Sequence, residues 1–136
     1  GRDVPHEAEI TEASGYRGSR PVRVGNLAAE QLQLDSLGPV AQLLGALARS
    51  GELLSPEHFS LAKRMVRLVQ LRWREPDSGI WEVRGAQRHF VHSKLMCWLT
   101  VSEALEVSRY LGEEEPEWEL LRDEIRSEIE QLGFCE

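Results

Sequence analysis

The chain has 136 residues, enough for one domain with a real core. Its hydrophobic fraction of 41% is ordinary for a globular protein, and no run approaches the roughly 18 apolar residues that a membrane-spanning helix needs. The net charge of −7 is uneven: from Val101 onward there are twelve acidic and three basic residues, so that third carries −9 and the first hundred residues +2. An acidic C-terminal third argues against general nucleic-acid binding, which depends on basic surface to displace counterions.

Residues 1–26 are rich in Gly, Pro and Arg and read as an irregular or extended segment ahead of a four-helix region over 27–136, the whole forming a single domain. Helical periodicity then begins. Leu37, Val40, Ala41, Leu44, Leu47 and Ala48 recur at the spacing of one helix face, and Gly51 supplies a stop. Ser55-Pro56-Glu57 is a start signal, with a capping hydroxyl, a proline where no N–H is needed and a carboxylate on the positive helix end. The helix it opens runs to about Trp73. Its apolar residues, Leu61, Ala62, Met65, Val66, Leu68, Val69 and Leu71, cover a wide arc, which implies cover on more than one side.

A third helix is predicted over Ser93 to Leu111, ending near Gly112 and again broadly apolar. A fourth begins near Pro116, shows one clean stripe of Trp118, Leu121, Ile125, Ile129 and Leu132, and ends at Gly133. The first and second helices, and the third and fourth, are joined by short links; the second and third by a longer one. The prediction is an all-α chain of two consecutive helical hairpins, with Ile80 to Val83 able to form a short extended piece. Short turns at one end and long loops at the other suit a barrel of hairpins, whose long-loop end is where a site can be built.

The long link, PDSGIWEVRGAQRHFVHSK, concentrates the chemistry. Glu82 follows Trp81. A carboxyl desolvated by an indole has its pKa raised and can donate a proton near neutrality, an effect that Arg84 and Arg88 would oppose. The other reading is a surface glutamate paired with an arginine, and it is the one that pattern alone favours. Upstream, SRPVRVGN offers Arg20 and Arg23 as forked donors for sugar hydroxyls or a carboxylate, or as ties to loop carbonyls. His89 and His92 form an HxxH pair that can share a helix face, but no third metal ligand stands at a compelling spacing, and His92 reads instead as a hydrogen-bonding residue at the start of the third helix. Trp73, Trp98 and Trp118 read as core, and Trp81, in the loop, as the exception. Neither a GxSxG turn nor a phosphate-binding glycine loop is present. Cys97 and Cys135 are too few and too separated for a disulfide framework; Cys97 reads as a small core residue. With no apolar leader, these cysteines make the reducing cytoplasm the expected compartment.

Three blocks in order, GYRGSRPVRVGNLAAEQLQLD (Gly15 to Asp35), DSGIWEVRG (Asp77 to Gly85) and RHFVHSKLMCW (Arg88 to Trp98), resemble the glucoamylase-type family-15 glycoside hydrolases, especially the bacterial and archaeal branch with its glucoamylase-like proteins and trehalases. The resemblance spans about Glu9 to Gly112. It implies that residues 1–136 are a single partial domain, a portion of about one third of an (α/α)6 barrel, with inverting hydrolysis of α-glucosidic bonds and no cofactor. It further implies Glu82 as general acid, with Arg20, Arg23, Trp81 and Arg84 around the sugar. The implied substrate is an α-glucoside, an oligosaccharide or trehalose, with neither membrane nor nucleic acid as partner.

Two departures qualify the resemblance. Where the family commonly has an Asp-Arg-Ala element, this chain has Ser102-Glu103-Ala104. Inversion also needs a second carboxyl roughly 6.5–9.5 Å from the first to activate water. The family's base block lies further along than Glu136, and Glu103, Glu106 and the Glu113–Glu115 run, read as a solvated face, do not resemble it. The expectation is a segment with the acid but not the base, inactive alone and open to self-association through uncovered apolar helix faces. The competing expectation is a non-catalytic helical interaction module derived from such a barrel.

Overall fold

A computed structural model describes residues 6–81 and 85–133. The chain divides into two compact units, Gly1–Gln31 and Leu32–Glu136.

In the N-terminal unit, β1 (Ala8–Ile10) pairs antiparallel with β2 (Val22–Val24), placing Glu9 opposite Arg23. Opposite charges facing each other across two strands stabilise the pair modestly. A 3-10 turn at Tyr16–Gly18 lies between the strands, and Gly15 N–H donates to Ser19 O at 2.9 Å to close it. Asn26 caps the next 3-10 turn, Leu27–Glu30, its side chain accepting from Ala28 N–H at 2.9 Å.

The second unit opens with a 3-10 turn, Leu34–Ser36, followed by α1 (Leu37–Ser50), α2 (Pro56–Arg72), α3 (Val91–Leu111) and α4 (Pro116–Leu132). These are the two helical hairpins expected, and the described chain is all-α apart from the small N-terminal sheet. The helix ends follow the local chemistry. Ser55 and His58 form a reciprocal cap at the start of α2, with Ser55 N–H donating to His58 Nδ1 at 3.0 Å. α1 and α3 finish alike: Gly51 and Gly112 adopt positive φ of 75° and 72°, and the last turns close through Glu52 N–H to Leu47 O and Glu113 N–H to Ser108 O. Glycine enters that left-handed region without a Cβ penalty.

The core lies around α3, whose buried residues include Cys97, Val101, Ala104, Leu105 and Val107. Opposite them, α1 presents a face of small residues, Gly38, Ala41, Gly45 and Ala48, together with Leu44. A Cβ at Gly38 would stand 2.7 Å from Met96 Sδ, and one at Gly45 would stand 1.7 Å from Glu103 Oε2. Both contacts carry the same sequence offset, so α1 and α3 run parallel. Trp73 against Lys94, and Gly133 against Val91, make α2 and α4 antiparallel to α3. Phe59 of α2 meets Trp118 of α4, ring centroids 6.2 Å apart.

Four expectations change. Val40 is exposed, because the face of α1 that packs on α3 is that of Gly38, Ala41, Leu44, Gly45 and Ala48. Glu103 does not lie on a solvated face: it is 9% exposed, and its Oε2 accepts from Arg49 Nη1 at 2.6 Å. Ile80 and Trp81 form a turn rather than an extended piece, and Val83 lies outside the described residues. The wide arc of α3 is covered in large part by α1, α2 and α4, with Val91 and Leu95 left exposed, and α2 leaves Leu61, Leu68 and Leu71 exposed at helical spacing.

The α1–α3 contact predicts that Gly45→Ala destabilises the chain by about 1–3 kcal/mol in urea unfolding, despite alanine's better helix propensity. The new methyl must push the Glu103 carboxylate away from Arg49. An unchanged or raised midpoint would contradict this packing.

Candidate active site

α2 is followed by its C-cap residue Trp73, which is buried, and the chain then crosses to α3 through a loop whose base is pinned. Asp77 N–H donates to Arg88 O at 2.9 Å, and Arg88 N–H returns a bond to Asp77 O at 3.0 Å. The Asp77 side chain, 1% exposed, reaches two other elements. Its Oδ2 accepts from Leu34 N–H at 3.1 Å, in the turn that leads into α1, and from Ser93 Oγ at 2.8 Å, in the first turn of α3. Ser78 N–H adds a bond to Leu32 O at 2.9 Å. Gly79 packs against the Phe90 ring, where a Cβ would stand 2.8 Å from the nearest ring atom.

From this base the loop turns outward. Trp81 is 83% exposed. Glu82, the expected general acid, and Arg84 lie outside the described residues. Arg20 and Arg23 lie in the N-terminal unit, and both have protein partners. Arg20 Nη1 donates to Thr11 O at 3.0 Å, and Arg23 bonds the Glu9 carboxylate at 3.0 Å with Glu7 at 3.5 Å. Arg20, Pro21, Glu9 and Thr11 line a hollow of about 300 Å³. Both arginines are exposed, so their guanidinium edges also reach solvent.

At the start of α3 and the end of α4 lies a cleft of about 250 Å³, with His89, Phe90, Lys94, Glu128 and Ile129 among its walls. Lys94 is 7% exposed. Its ammonium donates to Trp73 O, stands 3.5 Å from Glu128 Oε1 and lies 5.0 Å from the Trp73 ring centre, so the buried charge is compensated on several sides. His89 precedes α3 and His92 sits in its first turn, so the pair does not share a helix face. Among the described residues no three His, Cys, Asp or Glu side chains converge as a metal site would require. Sequence reasoning missed Asp77, Lys94 and Glu103. The signal was a polar side chain next to a helix end or among apolar neighbours, which one sequence does not distinguish from a surface residue.

Burial pushes the Cys97 thiol up to about 12, against the weaker opposing pull of Lys94. Cys97 should therefore resist iodoacetamide at pH 8 in the folded chain and react once urea unfolds it, as read by peptide mass mapping; rapid native labelling would contradict its burial. Because this folded pKa lies above the ordinary thiol value of 9.0, the neutral thiol's contribution to stability is complete below pH 9 and declines as pH rises toward 12.

The sequence profile of the glycosyl hydrolases family 15 matches residues 3–136. The trehalase of Thermoplasma volcanium is 35% identical over 130 residues, covering 94% of this chain and 21% of that protein. The trehalase of Mycobacterium tuberculosis is 39% identical over 129 residues, covering 93% and 19%. Trehalase 1 of Sulfolobus acidocaldarius is 37% identical over 123 residues, covering 87% and 22%. The chain thus spans about a fifth of the length of these curated relatives. No solved structure matches it significantly. Among the described residues no helix is long and apolar enough to cross a membrane.

Proposed function

The chain belongs to the glycosyl hydrolases family 15, and on that premise we propose that it is the segment of an inverting α-glucosidic hydrolase that carries the general acid, Glu82, and part of the sugar pocket. The observation that supports this reading most is the loop between α2 and α3: a base fixed by Asp77 carries an exposed indole, Trp81, directly ahead of Glu82. An aromatic face beside a carboxylic acid is the pairing that binds a sugar ring and protonates its departing oxygen.

In this reading Trp81 stacks against the glucose, Arg20 and Arg23 donate to its hydroxyls, and Arg84 flanks the acid. Glu82 gives its proton to the glycosidic oxygen as the bond to the anomeric carbon breaks. A second carboxylate takes a proton from the water that attacks the opposite face. That base is supplied from outside these 136 residues. The substrate class is an α-glucoside, with trehalose favoured by the trehalases among the relatives. The isolated chain, lacking the base, is catalytically inactive.

Glu82→Gln in the full-length enzyme should lower turnover of an α-glucosidic disaccharide by at least about 10²-fold, the lower range for a lost general acid, with little change in thermal midpoint. Near-normal turnover would remove the assignment.

The exposed stripe Leu61, Leu68 and Leu71 on α2 supports a second reading, in which the chain acts as an interaction module. Light scattering of the isolated chain separates the behaviours: self-association that Leu68→Glu and Leu71→Glu abolish supports it, and a clean monomer counts against it.

A further inference from the structure

We propose that Asp77 is a positioning residue for the reaction, holding the loop that presents Trp81 and Glu82 against the starts of α1 and α3. The inference rests on the reading of Glu82 as general acid. It starts from a carboxylate with almost no access to water whose hydrogen bonds join three separate pieces of chain.

One Oδ2 atom takes a backbone N–H from the turn before α1 and a hydroxyl from the first turn of α3. The same residue's backbone pairs with Arg88 and closes the loop at its root. A neutral apolar residue would fill the space, but would leave the Leu34 N–H and the Ser93 hydroxyl buried without this partner. A lysine or arginine is acceptor-free, and a serine is too short to reach both donors. Asparagine keeps one carbonyl acceptor in place. The arrangement therefore calls for a short side chain with a strong acceptor.

The geometric consequence is specific. α1 and α3 are parallel, so their N-terminal ends lie together, and Asp77 ties the loop to both. The loop root cannot shift toward one helix without lengthening a bond to the other. General acid catalysis depends on such registration: a displacement of about 1 Å can cost on the order of a hundredfold in rate. Asp77 itself touches no substrate in this account. It acts through the position of the residues that follow it.

The experiment compares Asp77→Ala, Asp77→Asn, Ser93→Ala and Glu82→Gln in the full-length enzyme, with two substrates. One is an α-glucosidic disaccharide, whose sugar leaving group needs a proton. The other is α-glucosyl fluoride, whose fluoride departs without one. Asp77→Ala should lower kcat on the disaccharide by roughly a hundredfold with KM within about threefold, and lower turnover of the fluoride far less. Asp77→Asn should recover part of the loss, and Ser93→Ala should show a smaller loss with the same substrate bias. Equal losses on both substrates would overturn the inference, since a merely structural role reduces the amount of active enzyme for both alike. Unchanged disaccharide turnover in all three folded variants would overturn it too. Should Asp77→Ala not fold, the asparagine and Ser93 variants carry the same comparison. If Glu82→Gln retains disaccharide turnover, the reading of Glu82 falls and the inference with it. If Glu82→Gln is dead on the disaccharide while the Asp77 and Ser93 variants are normal, only the inference falls.

Discussion

The close parallel contact between α1 and α3 is the constraint from which the rest of the helical unit follows. Gly38 and Gly45 stand seven residues apart on α1 and leave no room for a side chain against Met96 and Glu103. Two helices meeting through small residues approach more closely than the usual separation of about 8–10 Å allows, and their register is fixed by where the small residues fall. Because the pair is parallel, the segment entering α1 and the segment entering α3 arrive at the same end. That proximity lets one carboxylate, Asp77, bond both. α2 and α4 then pack antiparallel to α3 and meet each other through Phe59 and Trp118.

The opposite end of the α1–α3 pair uses charge instead. Glu103 fills the space beside Gly45 and accepts from Arg49, whose guanidinium is held above its ordinary pKa chiefly by that hydrogen bond. The pair lies half in solvent on the arginine side, so its main effect is to satisfy a nearly buried carboxylate rather than to add strong Coulombic attraction. Lys94 repeats the pattern near the start of α3, where the Trp73 carbonyl, the Trp73 ring and Glu128 surround the ammonium. Both charged groups stand in the central helix, so its buried face is wider than its apolar residues alone indicate.

Local signals made the helices legible in the sequence. Ser55 with Pro56, Pro116, Gly51 and Gly112 mark ends through backbone chemistry that acts within a few residues, and the observed helices start and stop beside them. What escaped was non-local. The face of α1 that packs is set by the shape of α3, so Gly38 and Gly45 outrank Val40. Glu103 looked solvated because its partner, Arg49, lies 54 positions away. The β1–β2 pair is three residues long on each side and held largely by pairing across a loop, which leaves little alternation to read. Of the candidate site, the sequence pointed to the loop and to Trp81 and Glu82 within it, but not to the buried aspartate at its root, because burial is a property of the assembled helices.

The proposed division of labour, with the acid in this segment and the water-activating base elsewhere in the polypeptide, predicts a definite stereochemical result. The most direct measurement is proton NMR of the first product formed by the full-length enzyme from an α-glucoside whose leaving group is not glucose. Protonation by Glu82 with water arriving from the opposite face yields β-glucose, which mutarotates only later. Initial release of α-glucose would show that the bond is cleaved with retention, and would contradict the account of this segment as the acid-bearing part of an inverting hydrolase.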